Sequence, residues 1–283
     1  MKYAEYETRL RRHLRWFYGD CLGLKEQAVD QSIDARLQRV RGEALAAMLD
    51  ELVGLSGAKM ADVGSGWGEL LLACMRRGAD IVGIEPSGEE VGISELLLAS
   101  FGYSPRIVHG RGEALPWKDE SFDLVTCQQV LEHVDDIELV IREMIRVTRP
   151  GGRLFVSTPN YLFPYEGHYR MRWFPLMPKP IGARVLRRQG RDPTFLLESV
   201  NYTTYPSMRA RWQRHGLAAR NITEELVRAG RHPAAIYRRP IIRWAALHLG
   251  LFPNISWLLT KPILKSATDE VHESSGARFP RRR

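Results

Sequence analysis

The middle of the chain alternates short, continuous apolar runs with longer stretches in which apolar residues recur at helical spacing. Five strands are predicted, at 58–63 (AKMADV), 80–85 (DIVGIE), 105–110 (PRIVHG), 122–127 (FDLVTC) and 153–159 (RLFVSTP). Helices are predicted between them at 67–78, 88–102 and 135–148; glycines end the first two, and an Asp-Asp pair caps the third. Because strands alternate with helices, the pattern predicts an α/β fold with a doubly wound, mostly parallel sheet.

Segments of a different character flank this alternation. Residues 1–55 are predicted to form an N-terminal helical cap, with one amphipathic helix from Arg36 to Leu52. Residues 56–159 form the core, and 160–204 form a cap inserted after the fifth strand, rich in aromatic residues, arginine and proline but without clear periodicity. Residues 205–265 are expected to complete the core with added helices and a last strand, and 266–283 to form a flexible tail.

The composition is that of a globular protein, with 44% hydrophobic and 26% charged residues. The net charge of +8 suits a nucleic acid, an anionic membrane surface or a phosphate-bearing substrate, and equally an enzyme with an arginine-rich surface. The cysteines Cys21, Cys74 and Cys127 are scattered. Their spacing predicts neither a disulfide framework nor a metal site, and it favours a cytoplasmic location.

No secretory or membrane-spanning segment is predicted. The first residues carry charges throughout and lack the apolar centre of a signal peptide. The most apolar late stretch, 241–264, is interrupted by charged residues and prolines, whereas a span needs about 20 apolar residues. This stretch could instead cap the domain, form a dimer contact, or make a peripheral membrane contact through Trp244, Leu247, Leu251 and Phe252.

A glycine-rich turn, GSGWG at 64–68, follows the first predicted strand. Glycine permits positive φ and lets a ligand approach bare backbone, so the turn predicts a binding site. The glycines fall as G-x-G-x-G, which differs from the dinucleotide pattern G-x-G-x-x-G, and no lysine follows as in a P-loop. Glu69 at the helix entrance would repel a pyrophosphate, so the ligand is predicted to be a nucleoside without phosphates.

Two carboxylates near this turn fit such a ligand. Glu85 closes the second strand about 20 residues beyond the first glycines, where a carboxylate can accept hydrogen bonds from ribose hydroxyls. Asp62 either receives a ligand ammonium through water or braces the turn.

Four ordered motifs now identify a family resemblance: ADVGSGWGE, VGIEPS, GEALPWKDESFDLVTCQQVLEHVDD and VTRPGGRLFVSTPN. Over about Ala58 to Asn160 the chain resembles the class I S-adenosylmethionine-dependent methyltransferases, and within them the small-molecule enzymes of ubiquinone and menaquinone biosynthesis. The resemblance implies a Rossmann-like methyltransferase sheet, with S-adenosylmethionine as cofactor.

The resemblance also implies roles for individual positions. The methionine end of the cofactor would contact Asp62, Gly64, Ser65 and Gly66, and Glu85 would hold the ribose. The loop Arg111–Ala114, with Gly112 and Glu113, would meet the adenine, and Gln128 would lie near the sulfonium. The family commonly carries an acid where Arg111 stands, so Glu113 is the nearest acid here.

Methyl transfer to a hydroxyl also requires removal of its proton, which favours a histidine or carboxylate with a pKa near neutrality. Two histidines are candidate catalytic residues. His133 follows the fourth strand and serves either as a base or as a hydrogen-bonding residue of the turn. His168, in the inserted cap, is the favoured general base.

The predicted activity is O-methylation of a small molecule: a natural product, a quinone-like compound or a lipid- or sugar-linked metabolite. The cap's aromatic residues and arginines suggest an aromatic or anionic acceptor, or else form an ordinary amphipathic lid. Two alternatives stay open: a nucleic-acid methyltransferase, although the motifs of base methylation are missing after the fourth strand, and a non-catalytic cofactor-binding regulator. The oligomeric state is left undecided.

Overall fold

A computed structural model of the protein describes residues 2–263. Its strands are β1 (Lys59–Val63), β2 (Asp80–Glu85), β3 (Ile107–His109), β4 (Phe122–Gln128), β5 (Thr148–Pro159), β6 (Tyr165–Glu166), β7 (Met171–Arg172), β8 (Ala218–Asn221) and β9 (Asn254–Thr260). Seven of them form one sheet in the order β3-β2-β1-β4-β5-β9-β8. The first five run parallel, and β9 is antiparallel to both β5 and β8. The predicted fold class is confirmed.

Helices cover both faces of this sheet. They are α1 (Lys2–Arg15), α2 (Glu26–Leu37), α3 (Val40–Val53), α4 (Glu69–Met75), α5 (Gly88–Ser100), α6 (Ile137–Val147), α7 (Lys179–Arg188), α8 (Thr194–Ser199), α9 (Tyr205–Arg214), α10 (Ile222–Arg228) and α11 (Pro240–Leu249). One apolar cluster joins the sheet to helices of the N-terminal half, and a second joins it to α6, α9 and α11. The central strands are therefore buried on both faces, which explains their unbroken apolar runs.

The N-terminal region departs from the sequence prediction. The single helix expected from Arg36 to Leu52 is broken, because α2 ends at Leu37 and α3 begins at Val40. Arg39, at the break, has a left-handed φ of 51°. Its guanidinium lies 5.1 Å from the centre of the Phe101 ring, a tertiary contact that a periodicity cannot reveal.

The inserted cap has more regular structure than its sequence suggests. A short hairpin of β6 and β7 leads into α7 and α8. These elements enclose a small apolar cluster that contains Tyr161, Tyr169 and Trp173 of the cap and is completed by Leu22 of the N-terminal region.

One arginine joins the cap to the N-terminal region. The guanidinium of Arg191 donates to the backbone carbonyl of Leu22 through Nε, at 2.9 Å, and to that of Tyr169 through Nη1, at 2.8 Å. The tail predicted for 266–283 lies outside the described residues.

Candidate active site

The glycine-rich turn lies at the carboxyl end of β1, between the ends of β2 and β4. Gly64 has a φ of 71°, and a Cβ at this position would overlap Cγ2 of Val130, which follows β4. Gly66 has a φ of 52°, and its N–H donates to Oε2 of Glu85 at 3.0 Å. The turn is therefore held on one side by β2 and pressed on the other against the segment after β4, a geometry that only glycine permits at position 64.

Glu85 is 6% exposed and accepts two backbone hydrogen bonds, from the N–H groups of Gly66 and Ser87, each at 3.0 Å. A carboxylate has about four acceptor positions, so two remain for a ligand. Burial raises the pKa of Glu85 to about 7, and the nearby Glu90 contributes to the increase.

Asp62, on the neighbouring strand, is 3% exposed and accepts a hydrogen bond of 2.6 Å from the hydroxyl of Thr126. Burial raises the pKa of Asp62 to about 7 against the opposing effect of this hydrogen bond, and Glu85 adds to the increase. Two buried carboxyl groups thus border the glycine turn from adjacent strands. As hydrogen-bond acceptors, these two groups fit a nucleoside whose ribose diol donates hydrogen bonds and whose amino acid end carries an ammonium group.

Helix α1 lies beside this cleft, a contact that the sequence analysis did not foresee. Nε2 of His13 is 3.0 Å from Oε1 of Glu90, and Arg9 bonds Glu89 at 2.7 Å. The N-terminal helix therefore pairs Arg9 with Glu89 and places His13 against Glu90, both in the first turn of α5 and close to Glu85.

The loop predicted to meet the adenine is engaged within the protein. Gly112 is tightly packed, since a Cβ at this position would approach Cγ1 of Val63 to 3.0 Å. Oε1 of Glu113 accepts the backbone N–H of Asp135 at 3.0 Å, and Asp135 pairs with Arg111. Glu113 therefore braces the loop against the start of the α6 segment.

The remaining predicted cofactor contacts lie around the same cleft. Ser65 is buried, with its hydroxyl 3.4 Å from the carbonyl oxygen of Ile84. Gln128 is half-buried at the last position of β4, in register with Ser157.

The two candidate histidines come together although 35 positions separate them in the chain. The rings of His133 and His168 are centred 5.1 Å apart, and the Phe195 ring lies against both. Nδ1 of His168 is 2.7 Å from Oε1 of Glu166, which is 1% exposed. Burial alone would lower the pKa of His168, but the hydrogen bond and charge of Glu166 outweigh it and raise the pKa.

His133 has a different environment. Its Nδ1 is hydrogen-bonded to the carbonyl oxygen of Ser199, so Nδ1 carries the proton. Burial lowers the pKa of His133 to about 4, and the charge of His168 lowers it further. His133 is therefore neutral at pH 7 and a weak base.

Glu132 completes the cluster and was missed by the sequence analysis. Its side chain is fully buried, and neither carboxylate oxygen has a hydrogen-bond partner among the described residues. Burial raises the pKa of Glu132 to about 7, partly offset by the charge of His168. Glu132, His133 and His168 bring ligand-type atoms within 4.8 Å of one another, a grouping that their spacing in the sequence could not show.

The cap's aromatic residues divide into two groups. Tyr161, Tyr169 and Trp173 are no more than 3% exposed and form the cap's own core, so they do not line an open acceptor site. Tyr165 and Phe174 are 44% and 71% exposed. Arg191 is used to bind backbone carbonyls, as described above, rather than to present its charge to a ligand.

Comparison with known proteins identifies the family in which this glycine turn and its neighbouring carboxylates occur. A family profile described as "Methyltransferase domain" matches residues 61–156, which run from β1 into β5 and contain the glycine turn, Glu85 and Glu132. This domain belongs to the class I S-adenosylmethionine-dependent methyltransferase family. The family expected from the four sequence motifs is thereby confirmed.

Sequence relatives with known names also point to methyltransferases. The chain is 40% identical over 134 residues to a protein of Pseudomonas fluorescens named ubiquinone biosynthesis O-methyltransferase. The match covers 45% of this chain and 58% of that protein, so the chain spans little more than half of its relative's length.

Solved structures share the fold at low identity. A methyltransferase from Mesorhizobium loti described as S-adenosylmethionine-dependent superposes with a TM-score of 0.52 at 21% identity, covering 77% of this chain and 95% of its own. The [4+2]-cyclase SpnF superposes with a TM-score of 0.51 at 21% identity, covering 78% and 82%. Since one neighbour is named as a cyclase, the fold alone does not specify the reaction.

Among residues 2–263, no helix combines the length and the apolar character that crossing a bilayer requires.

Proposed function

We propose that the protein is an S-adenosylmethionine-dependent O-methyltransferase of a small-molecule hydroxyl, with His168 as its general base. The observation that carries the proposal is the pairing of His168 with the buried Glu166 carboxylate at 2.7 Å. This pair lies beside Glu132 and His133, which follow the carboxyl end of β4 near the glycine turn. The name of the Pseudomonas relative supports O-methylation.

When bound, S-adenosylmethionine supplies an electrophilic methyl group on a sulfonium. Asp62 and Glu85 are the residues that would hold its ammonium and ribose, and Gly64 and Gly66 keep the turn between them free of side chains. The chain's task is then to orient the acceptor and to remove its proton, and well-oriented proximity alone can contribute roughly 7–11 kcal/mol.

The proton of the acceptor hydroxyl passes to Nε2 of His168. Glu166 keeps the hydrogen of the neutral imidazole on Nδ1, which leaves the Nε2 lone pair free. When His168 accepts the proton, the imidazolium is stabilised by Glu166 and by the fully buried Glu132. His133, held neutral with its Nδ1–H on Ser199, positions the cluster and does not compete for the proton.

The test uses methyl-labelled S-adenosylmethionine with a small-molecule extract, and mass spectrometry identifies the labelled product. We expect an O-methylated small molecule, and we expect His168→Ala to slow transfer by roughly 10²–10⁴-fold in single turnover. Its affinity for S-adenosylmethionine, measured by calorimetry, should not change. Label appearing only in RNA or protein, or an unchanged rate for His168→Ala, would contradict the proposal.

A second pair of measurements separates a base from a structural histidine and from a metal ligand. Because Glu166 raises the pKa of His168, Glu166→Gln should move the rising limb of the pH–rate profile to lower pH. EDTA should leave the wild-type rate unchanged. A rate that collapses with EDTA and returns with a divalent cation would assign Glu132, His133 and His168 to a metal site instead.

A further inference from the structure

Helix α11 presents apolar side chains on two sides. Ala246 is fully buried, and Ile242 and Leu247 pack against the main core. On the outer side Ile241 and Trp244 are 76% and 56% exposed, one helical turn apart.

The outer stripe continues to the end of the helix. The ring of His248 lies 5.2 Å from that of Trp244, and Leu249 is 57% exposed. Of the four residues named in the sequence analysis as a membrane contact, only Trp244 is exposed. Phe252 is buried, at 1% exposure, because it packs in the core beneath Tyr205.

The chain segment that contains this helix carries acidic residues nowhere along its length. Residues 226–263 contain six arginines and lysines and no aspartate or glutamate. Arg228 pairs with Glu224 within α10, and Arg231 and Lys261 pair with Glu51 and Glu120 of other segments. Arg238, Arg239 and Arg243 are exposed and have no carboxylate partner within residues 2–263.

We propose that α11 and the arginines that precede and flank it form a docking surface for an anionic lipid bilayer. The exposed Ile241, Trp244 and Leu249 would enter the boundary between headgroups and acyl chains, where tryptophan is favoured. Arg238 and Arg239 would lie against lipid phosphates. An anionic membrane would both bury the apolar side chains and supply negative charge for the arginines, whereas a neutral membrane would only bury the apolar side chains.

A second copy of the chain fits this surface less well. In a two-fold dimer each patch faces an identical patch, so Arg238, Arg239 and Arg243 would approach their own copies without an acid between them. The apolar gain of such a contact would be opposed by desolvation and repulsion of these like charges.

The position of the surface connects it with the active site. Asn160 directly follows β5. Its side-chain Nδ2 donates a hydrogen bond of 2.9 Å to the carbonyl oxygen of Gly250, directly after α11. Its backbone N–H donates another, also of 2.9 Å, to the carbonyl oxygen of Pro253. The end of α11 is therefore bonded to the carboxyl edge of the sheet, the same edge that carries the glycine turn and Glu132.

The test is co-sedimentation of the whole protein with vesicles of phosphatidylcholine alone or mixed with phosphatidylglycerol. We expect binding to the mixed vesicles, weakened by salt, and little binding to phosphatidylcholine. Each arginine near an anionic surface contributes about fivefold in affinity, so Arg238→Ala/Arg239→Ala should lose roughly 25-fold. Ile241→Ser/Trp244→Ser should lose binding even at low salt.

The cap helix α7 provides the matched control, because Arg184 and Arg187 are also exposed, near the 54% exposed Ile181. Arg184→Ala/Arg187→Ala should bind the mixed vesicles like the wild type. All variants should keep the wild-type unfolding temperature and S-adenosylmethionine affinity, which shows that they are folded.

Three results would overturn the proposal: α11 variants that bind vesicles like the wild type, a dimer that Ile241→Ser/Trp244→Ser disperses without any vesicle binding, or binding of RNA in place of vesicles. Because the readout is sedimentation, a failure here leaves the proposed methyl transfer untouched.

Discussion

The raised pKa of Glu85 makes cofactor affinity depend on pH in a way that one substitution can isolate. The ribose hydroxyls are donors, so they favour the ionised carboxylate, whereas the free protein with a pKa of about 7 holds Glu85 half-protonated at neutral pH. Between pH 7.5 and 6.0 the ionised fraction of such a group falls roughly eightfold. The affinity of the wild type for S-adenosylmethionine should fall by the same factor on account of Glu85, with a further decrease from Asp62.

Glu85→Gln removes one of these titrations. At pH 7.5 the variant should bind roughly tenfold or more weakly, since an amide loses a charge-assisted hydrogen bond worth about 1.5–3 kcal/mol. Between pH 7.5 and 6.0 the affinity of the variant should therefore lack the roughly eightfold decrease that Glu85 causes in the wild type.

Isothermal titration calorimetry measures both quantities, and repeating it in buffers of different ionisation enthalpy counts the protons released on binding. The amino group of the ligand titrates equally with both proteins, so it cancels in the comparison. If Glu85→Gln and the wild type show parallel pH dependence and release the same number of protons at pH 6, Glu85 does not bind the ribose as a carboxylate.

Two further predictions concern stability. Burial raises the pKa of Glu132 to about 7, so this carboxyl destabilises the fold by an amount that is absent below about pH 4.5, grows up to about pH 7 and is constant above it. Glu132→Gln should therefore raise the unfolding free energy by up to about 3 kcal/mol at pH 8 and change it little at pH 5; equal effects at both values in thermal melts would contradict this. Gly64→Ala should lower the unfolding free energy by about 2 kcal/mol or more in urea titrations, because of its positive φ and the overlap with Val130. Adding Val130→Ala should recover part of the loss but not the part due to φ, and no recovery would exclude the overlap as a cause.

The sequence predicted the sheet well because its central strands are buried on both faces. Each strand from β1 to β4 begins and ends within about two residues of its predicted range, and β9 is the last strand that was expected within 205–265. The glycine turn could also be predicted, because glycines after a strand indicate a backbone with positive φ, and this can be recognised without knowing the tertiary contacts.

The sequence was less informative where a residue's role depends on distant neighbours. Arg39 interrupts the predicted helix with a left-handed φ and places its guanidinium over Phe101, and nothing local in the sequence marks the break. Glu132 resembles any acid after a strand until its burial is known, and only the fold brings His168 beside His133. The cap's aromatic residues likewise suggested a ligand site, although three of them form its own core.

The bonds made by Arg191 have a consequence for how the protein could be shortened or recombined. The N-terminal segment borders the glycine-turn cleft through the contact of His13 with Glu90, and it is joined to the cap through Leu22, whose carbonyl binds Arg191. A chimera that exchanges the cap without residues 2–37 would sever this link and leave the Leu22 carbonyl without the guanidinium of Arg191. The two outer segments therefore form one exchangeable unit, and variation in acceptor choice between related chains is expected to carry both together.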